Sequence, residues 1–129
     1  MTIALAVETD SFDSELSDVF GRCKYLLIYN SEDQSEKIIP NPFAAAFDGA
    51  GIQTSQLLIE NNCDVLIVSK IGNQALIFLE SVGIKVYKSN KDKAQSVIEL
   101  FNKGKLEEMN FPNDLKRGRR KRYRNRGKF

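Results

Sequence analysis

Two short runs, "TIALAV" (2–7) and "DVLIVS" (64–69), constrain the fold more than any other part of the chain. Both are almost continuously apolar, with no alternation that would leave one face for water. A strand of that kind is buried on both faces, and this requires helices above and below a sheet. The segments around the second run supply them. "DGAGIQTSQLLIENN" (48–62) starts with glycines and becomes helix-like. "GNQALIFLESVG" (72–83) places Ala75, Leu79 and Val82 at helical spacing and ends at Gly83, a C-terminal cap. "IKVYKS" (84–89) alternates as a strand. "KDKAQSVIELFNKG" (91–104) sets Ala94, Val97, Ile98 and Phe101 at i, i+3, i+4 and i+7, the pattern of an amphipathic helix.

The first part of the chain reads differently. "ETDSFDSELSD" (8–18) is polar and acidic and reads as a loop. "KYLLIYN" (24–30) is aromatic and β-branched, a second strand. "KIIPNP" (37–42) returns as a third, and Pro40 and Pro42 place it at a sheet edge because neither has an amide to donate. The predicted order is βββ-α-β-α-β-α. The two later strands join through right-handed helical crossovers and run parallel to the first. The expectation is an α/β fold of three layers with a five-stranded mixed sheet, an arrangement shared by ribonuclease H-like folds.

Charge divides the chain at about residue 110. Residues 113–129, "NDLKRGRRKRYRNRGKF", carry nine Lys/Arg and one Asp, a net of +8. The whole chain has 19 basic and 17 acidic residues, so residues 1–112 carry −6. An acidic domain (1–109) and a basic, disordered tail are therefore expected. No apolar run approaches the roughly 20 residues that span a bilayer. The N-terminus has no basic region before its apolar run, so a cytoplasmic protein without membrane association is expected. There is no histidine, which removes Ser-His and Cys-His nucleophile pairs and the usual His-containing zinc sites.

In open α/β sheets, ligands favour the carboxyl ends of the parallel strands. The topology brings several segments to that edge: the loop after the first strand, the turn Asp48-Gly49-Ala50-Gly51, and Ser69 to Asn73. The second strand runs antiparallel to the first, so Phe20, Gly21, Arg22 and Cys23 at its beginning belong there too. Gly49 and Gly51, and Gly72 with Asn73, open two helices whose free amides can hold an anion. "DGAGIQ" is neither a dinucleotide fingerprint nor a Walker A loop. Alone it reads more readily as a tight strand-to-helix connection than as a nucleotide site. Arg22 adds a fixed positive charge, and with Lys24 it would favour a thiolate at Cys23, a residue that otherwise reads as a small buried apolar side chain. Cys63 falls at the opposite edge and reads as a small buried apolar residue.

"FGRCKYLLI", "NPFAAAFDGAGIQTSQLL", "DVLIVSKIGNQALIFLESVGIKVY" and "GKLEEM" resemble the dinitrogenase iron-molybdenum cofactor biosynthesis family from about Thr2 to Met109. The resemblance implies a ribonuclease H-like domain that binds or carries iron-sulfur or iron-molybdenum clusters or their precursors. It implies a metallocluster or metalloprotein partner and no enzymatic activity. Members commonly carry histidine directly before Phe-Gly-Arg, where this chain has Val19. Cys23 is then the candidate metal ligand, and a homodimer would supply two such thiols.

Two other functions compete with the carrier reading. The tail residues Lys116, Arg117, Arg119, Arg120, Lys121, Arg122, Arg124, Arg126 and Lys128, with Tyr123 among them, could contact nucleic acid or an acidic protein. A nuclease would need several carboxylates converging on hard cations. Glu8, Asp10 and Asp48 lie near the right edge, but Asp64 lies at the wrong end and the first strand contains no acid.

Overall fold

The structure is a computed structural model, and it describes residues 1–110. Ten elements follow one another along the chain. They are β1 (Thr2–Val7), a short 3-10 turn (Phe20–Arg22), β2 (Tyr25–Asn30), β3 (Glu36–Pro40) and α1 (Ala50–Glu60). After them come β4 (Val65–Val68), α2 (Asn73–Ser81), β5 (Lys85–Lys88), α3 (Ala94–Asn102) and β6 (Glu107–Met109). The sheet order is β3-β2-β1-β4-β5-β6. β1, β4 and β5 are parallel neighbours, and β2 runs antiparallel to both β1 and β3.

The α/β class, the mixed sheet and the helix order are those expected from the sequence. The strand count is not. A sixth strand, β6, pairs antiparallel with β5 through Val86↔Met109, Tyr87↔Glu108 and Lys88↔Glu107. Its three residues are too few and too acidic to give a period. It forms because Gly104, at φ 71°, turns the chain back after α3 beside an unpaired edge. The tail 113–129 and its nine cations lie outside the described residues.

Alternation along β1 sorts the core into two layers. Ala4 and Ala6 join Leu26, Ile28, Leu66 and Val68 beneath α1 and α2, where Leu58, Leu76 and Leu79 close the layer. Ile3, Leu5 and Val7 join Leu27, Val65 and Ile67 on the other face, covered by Ala94, Val97 and Ile98 of α3. Fully burying each large aliphatic side chain contributes about 1.5–3 kcal/mol. Both continuously apolar runs therefore lie in the middle of the sheet, as required. Gly83 adopts φ 83° directly after α2, the left-handed conformation that ends helices.

The register sets what meets at the carboxyl edge of β1. Val7 pairs with Tyr25, and Tyr25 pairs with Pro40. The start of β2 and the end of β3 thus lie beside the end of β1. α1 and α2 begin at the same edge, because β3 and β4 deliver the chain there.

Candidate functional site

Two glycines determine how closely the segments at this edge approach. A Cβ on Gly21 would stand 2.6 Å from the Gly51 nitrogen, 2.8 Å from its Cα and 3.0 Å from the Ala50 carbonyl carbon. The 3-10 turn therefore packs backbone against backbone on the first turn of α1. A Cβ on Gly51 would meet the Ala75 Cβ at 3.0 Å, so the starts of α1 and α2 are also in close contact. Gly49 has φ 72°, which lets the chain turn sharply into α1.

The result is a cradle of about 350 Å³ lined by Val19, Gly21, Arg22, residues 49–52 and residues 72–75. Its chemistry comes mainly from the backbone. The first intrahelical bonds are Gln53 N–H to the Gly49 carbonyl (3.0 Å) and Leu76 N–H to the Gly72 carbonyl (3.1 Å). The amides of Ala50, Gly51 and Ile52, and of Asn73, Gln74 and Ala75, precede those bonds and have no intrahelical acceptor. Neither helix has a side-chain cap or an acidic residue in its first turn. Each helix start carries the equivalent of roughly +0.5 charge, so with Arg22 the cradle presents about +2. No acid, cysteine or hydroxyl side chain lines it.

Arg22 is exposed, and its Nη1 donates to the carbonyls of Ala44 (3.2 Å) and Ala46. Behind the cradle lies a polar knot that sequence reasoning missed. Asn41, only 6% exposed, donates from Nδ2 to the Cys23 carbonyl (2.8 Å) and the Gly21 carbonyl (3.4 Å). Its Oδ1 accepts from the Phe43 amide (3.1 Å) and the Thr54 hydroxyl (3.2 Å). One side chain thus ties the 3-10 turn, the 43–48 loop and α1 together. The signal was present in "PNPF", since an Asn two residues before an amide readily closes a side-chain turn.

Six of the eight expected site residues line the cradle: Gly21, Arg22, Gly49, Gly51, Gly72 and Asn73. Phe20 and Cys23 do not. Phe20 is buried in the α1/α2 layer, and its amide donates to the Lys70 carbonyl (2.9 Å), which docks the turn on the β4–α2 connection. The expectation of a reactive Cys23 thiolate is corrected. Cys23 is 0% exposed in the same layer, and burial pushes its thiol up to about 12. A hydrogen bond from Asn41 only partly opposes this, and Glu8 adds to it. Arg22 and Lys24 are neighbours in sequence, but neither is among the causes that set the thiol. Cys63 is buried before β4, as expected, with its thiol pushed up to about 11 by burial.

Among the described residues there is no group of three or more His, Cys, Asp or Glu that could hold a metal ion. Asp64 accepts from the Thr2 amide (2.9 Å) at the start of β1, the far edge from the cradle. A larger groove of about 580 Å³ lies between the end of α2 and β5/β6, around Ile77, Ile84, Val86 and Met109. No helix start opens into it. No described helix is long and apolar enough to cross a membrane.

Comparison with known proteins agrees with this fold. The family described as dinitrogenase iron-molybdenum cofactor matches residues 1–104. An uncharacterized protein of Methanocaldococcus jannaschii is 34% identical over 110 residues, which cover 83% of this chain and 90% of that protein. The NMR structure of a NifB-designated protein from Thermotoga superposes with a TM-score of 0.74 at 32% identity, covering 83% of this chain and 91% of the other. The apo orange protein from Desulfovibrio gigas has the same fold, with a TM-score of 0.82 at 23% identity and coverage of 86% and 94%. With its matched segment running from the first residue through α3, this chain belongs to the dinitrogenase iron-molybdenum cofactor family.

Proposed function

We propose that the protein is a non-catalytic carrier that holds an anionic metal-sulfur group in the cradle without bonding directly to the metal. The observation that carries this reading is the convergence of two helix starts, neither with a side-chain cap or a first-turn acid, and Arg22 on one pocket. Family membership supports a ligand of the iron-sulfur or iron-molybdenum cluster class, or a precursor of one.

The donor set favours such a ligand only if the ligand brings its own coordination shell. Backbone amides and a guanidinium donate hydrogen bonds, and neither coordinates a metal. Sulfide and oxide on an anionic cluster accept those bonds. The cradle has no nucleophile and no general base among its lining side chains, which suits storage or delivery rather than turnover. The absence of the histidine common in the family then changes the mode of binding without removing it. Val19, 40% exposed at the rim, offers no ligand atom, so binding falls to the helix starts and Arg22.

Anaerobic loading of wild type and Cys23→Ser tests this reading. Iron-sulfide mixtures and tetrathiomolybdate, a sulfur-covered dianion, serve as probes. After gel filtration, both proteins are expected to retain the same metal per chain. A loss of more than tenfold in Cys23→Ser, with its fold intact, would return the ligand role to the thiol. No retention of any probe by either protein would remove the carrier reading.

A further inference from the structure

We infer that Arg22 couples the occupancy of the cradle to the position of the 43–48 loop, making Phe47 a ligand-ordered cover for the pocket. The inference rests on the carrier reading above and adds a regulated mouth to it.

Phe47 is 101% exposed, the most exposed large apolar side chain among the described residues. A lone exposed aromatic needs no explanation in itself, but its position here is unusual. The loop that carries it is fixed at both ends. On one side Asn41 is buried and holds the Phe43 amide. On the other, Gly49 at φ 72° leads into the amides that line the cradle. Between these points the loop has short internal turns, Ala44 N–H to Asn41 C=O (3.4 Å) and Ala46 N–H to Phe43 C=O (3.0 Å). Its bonds to the cradle wall are the two from Arg22 Nη1 to Ala44 and Ala46.

Those two bonds use both hydrogens of Nη1. The Nε–H and Nη2–H edge of the guanidinium has no partner among the described residues, and this edge can grip an anion with two parallel hydrogen bonds. Arg22 also lines the cradle. One planar group thus holds the loop with one nitrogen and offers the ligand the others. Fixing the guanidinium on an anion fixes Ala44 and Ala46, and with them the segment that carries Phe47. Lysine keeps the charge but has no planar fork, so it cannot give the anion two parallel hydrogen bonds while holding both loop carbonyls.

Hydrogen exchange with mass-spectrometric readout, with and without tetrathiomolybdate at saturation, separates this inference from the reading beneath it. In wild type, loading is expected to slow exchange at least fivefold at 50–52 and 73–75, and also at 43–48. Arg22→Gln and Arg22→Lys remove part of the grip on the anion and should need more probe to saturate; once saturated, the helix starts should be protected but not 43–48. Phe47→Ser should release the probe about tenfold faster while reaching the same stoichiometry. Protection of the helix starts with no change at 43–48, or equal loop protection in Arg22→Gln, overturns the coupling and leaves the carrier reading standing. No protection at the helix starts removes both.

Discussion

Replacing Gly21 with alanine should destabilise the protein by about 2 kcal/mol, in the middle of the range for overpacked sites, and should cost it ligand retention. The added methyl would stand 2.6 Å and 2.8 Å from main-chain atoms of Gly51 and 3.0 Å from the Ala50 carbonyl carbon. A flexible side chain could swing away from such a contact, but a helix backbone cannot. Relief requires moving the 3-10 turn off α1, and that opens the cradle on the side where Gly21 and Gly51 face each other. The conformation of Gly21 itself makes no special demand, since positive φ occurs at Gly49, Gly83 and Gly104. The effect is therefore one of space. Urea unfolding and metal retention, measured on the same preparations, check both parts. Wild-type stability with wild-type retention would mean that the close approach is not needed.

Asn41→Leu should destabilise the protein by about 3 kcal/mol, because several groups are stranded together. Leucine has the same number of side-chain heavy atoms in the same branched arrangement and is bulkier, so no cavity contributes. What is lost is pairing. The Cys23 carbonyl, the Phe43 amide and the Thr54 hydroxyl all lose a partner, and Thr54 is completely buried. Each stranded group costs about 1–3 kcal/mol where water cannot reach it. The Asn41 amide keeps its bond to the Lys24 carbonyl (2.9 Å), so β3 should still end in place. The change is expected to loosen the 3-10 turn and the 43–48 loop first. Equilibrium denaturation measures the loss, and a change below about 1 kcal/mol would show that solvent replaces these bonds.

The edge was legible in the sequence because it follows from direction alone. Once TIALAV and DVLIVS are central parallel strands and KYLLIYN is antiparallel, the segments around Arg22, Gly49 and Gly72 must share one edge. Side-chain direction was harder to read. Cys23 lies between two cations in the chain, but the 3-10 turn breaks the two-residue period before β2, so its thiol enters the layer of Leu26 and Ile28. Neighbours in sequence do not report burial, and burial dominates that thiol. Arg22 was legible as a charge at the edge. Its bonds to Ala44 and Ala46 depend on a loop whose sequence, "PFAAAF", has no period. Asn41 was hidden for a related reason, because its partners come from three segments that meet only after folding. β6 was too short for any periodicity to reveal it.

The most direct test of the amide cradle is Asn73→Asp, because it separates helix stability from ligand binding by sign. Asn73 is exposed at the first position of α2 and lines the pocket. A carboxylate there stabilises the helix start by about 0.3–1 kcal/mol through the dipole. The same carboxylate neutralises the field that holds an anion. Retained metal per chain after anaerobic loading with tetrathiomolybdate should therefore fall at least tenfold, while the urea midpoint stays level or rises. Undiminished retention in Asn73→Asp would contradict a cradle built from helix-start amides.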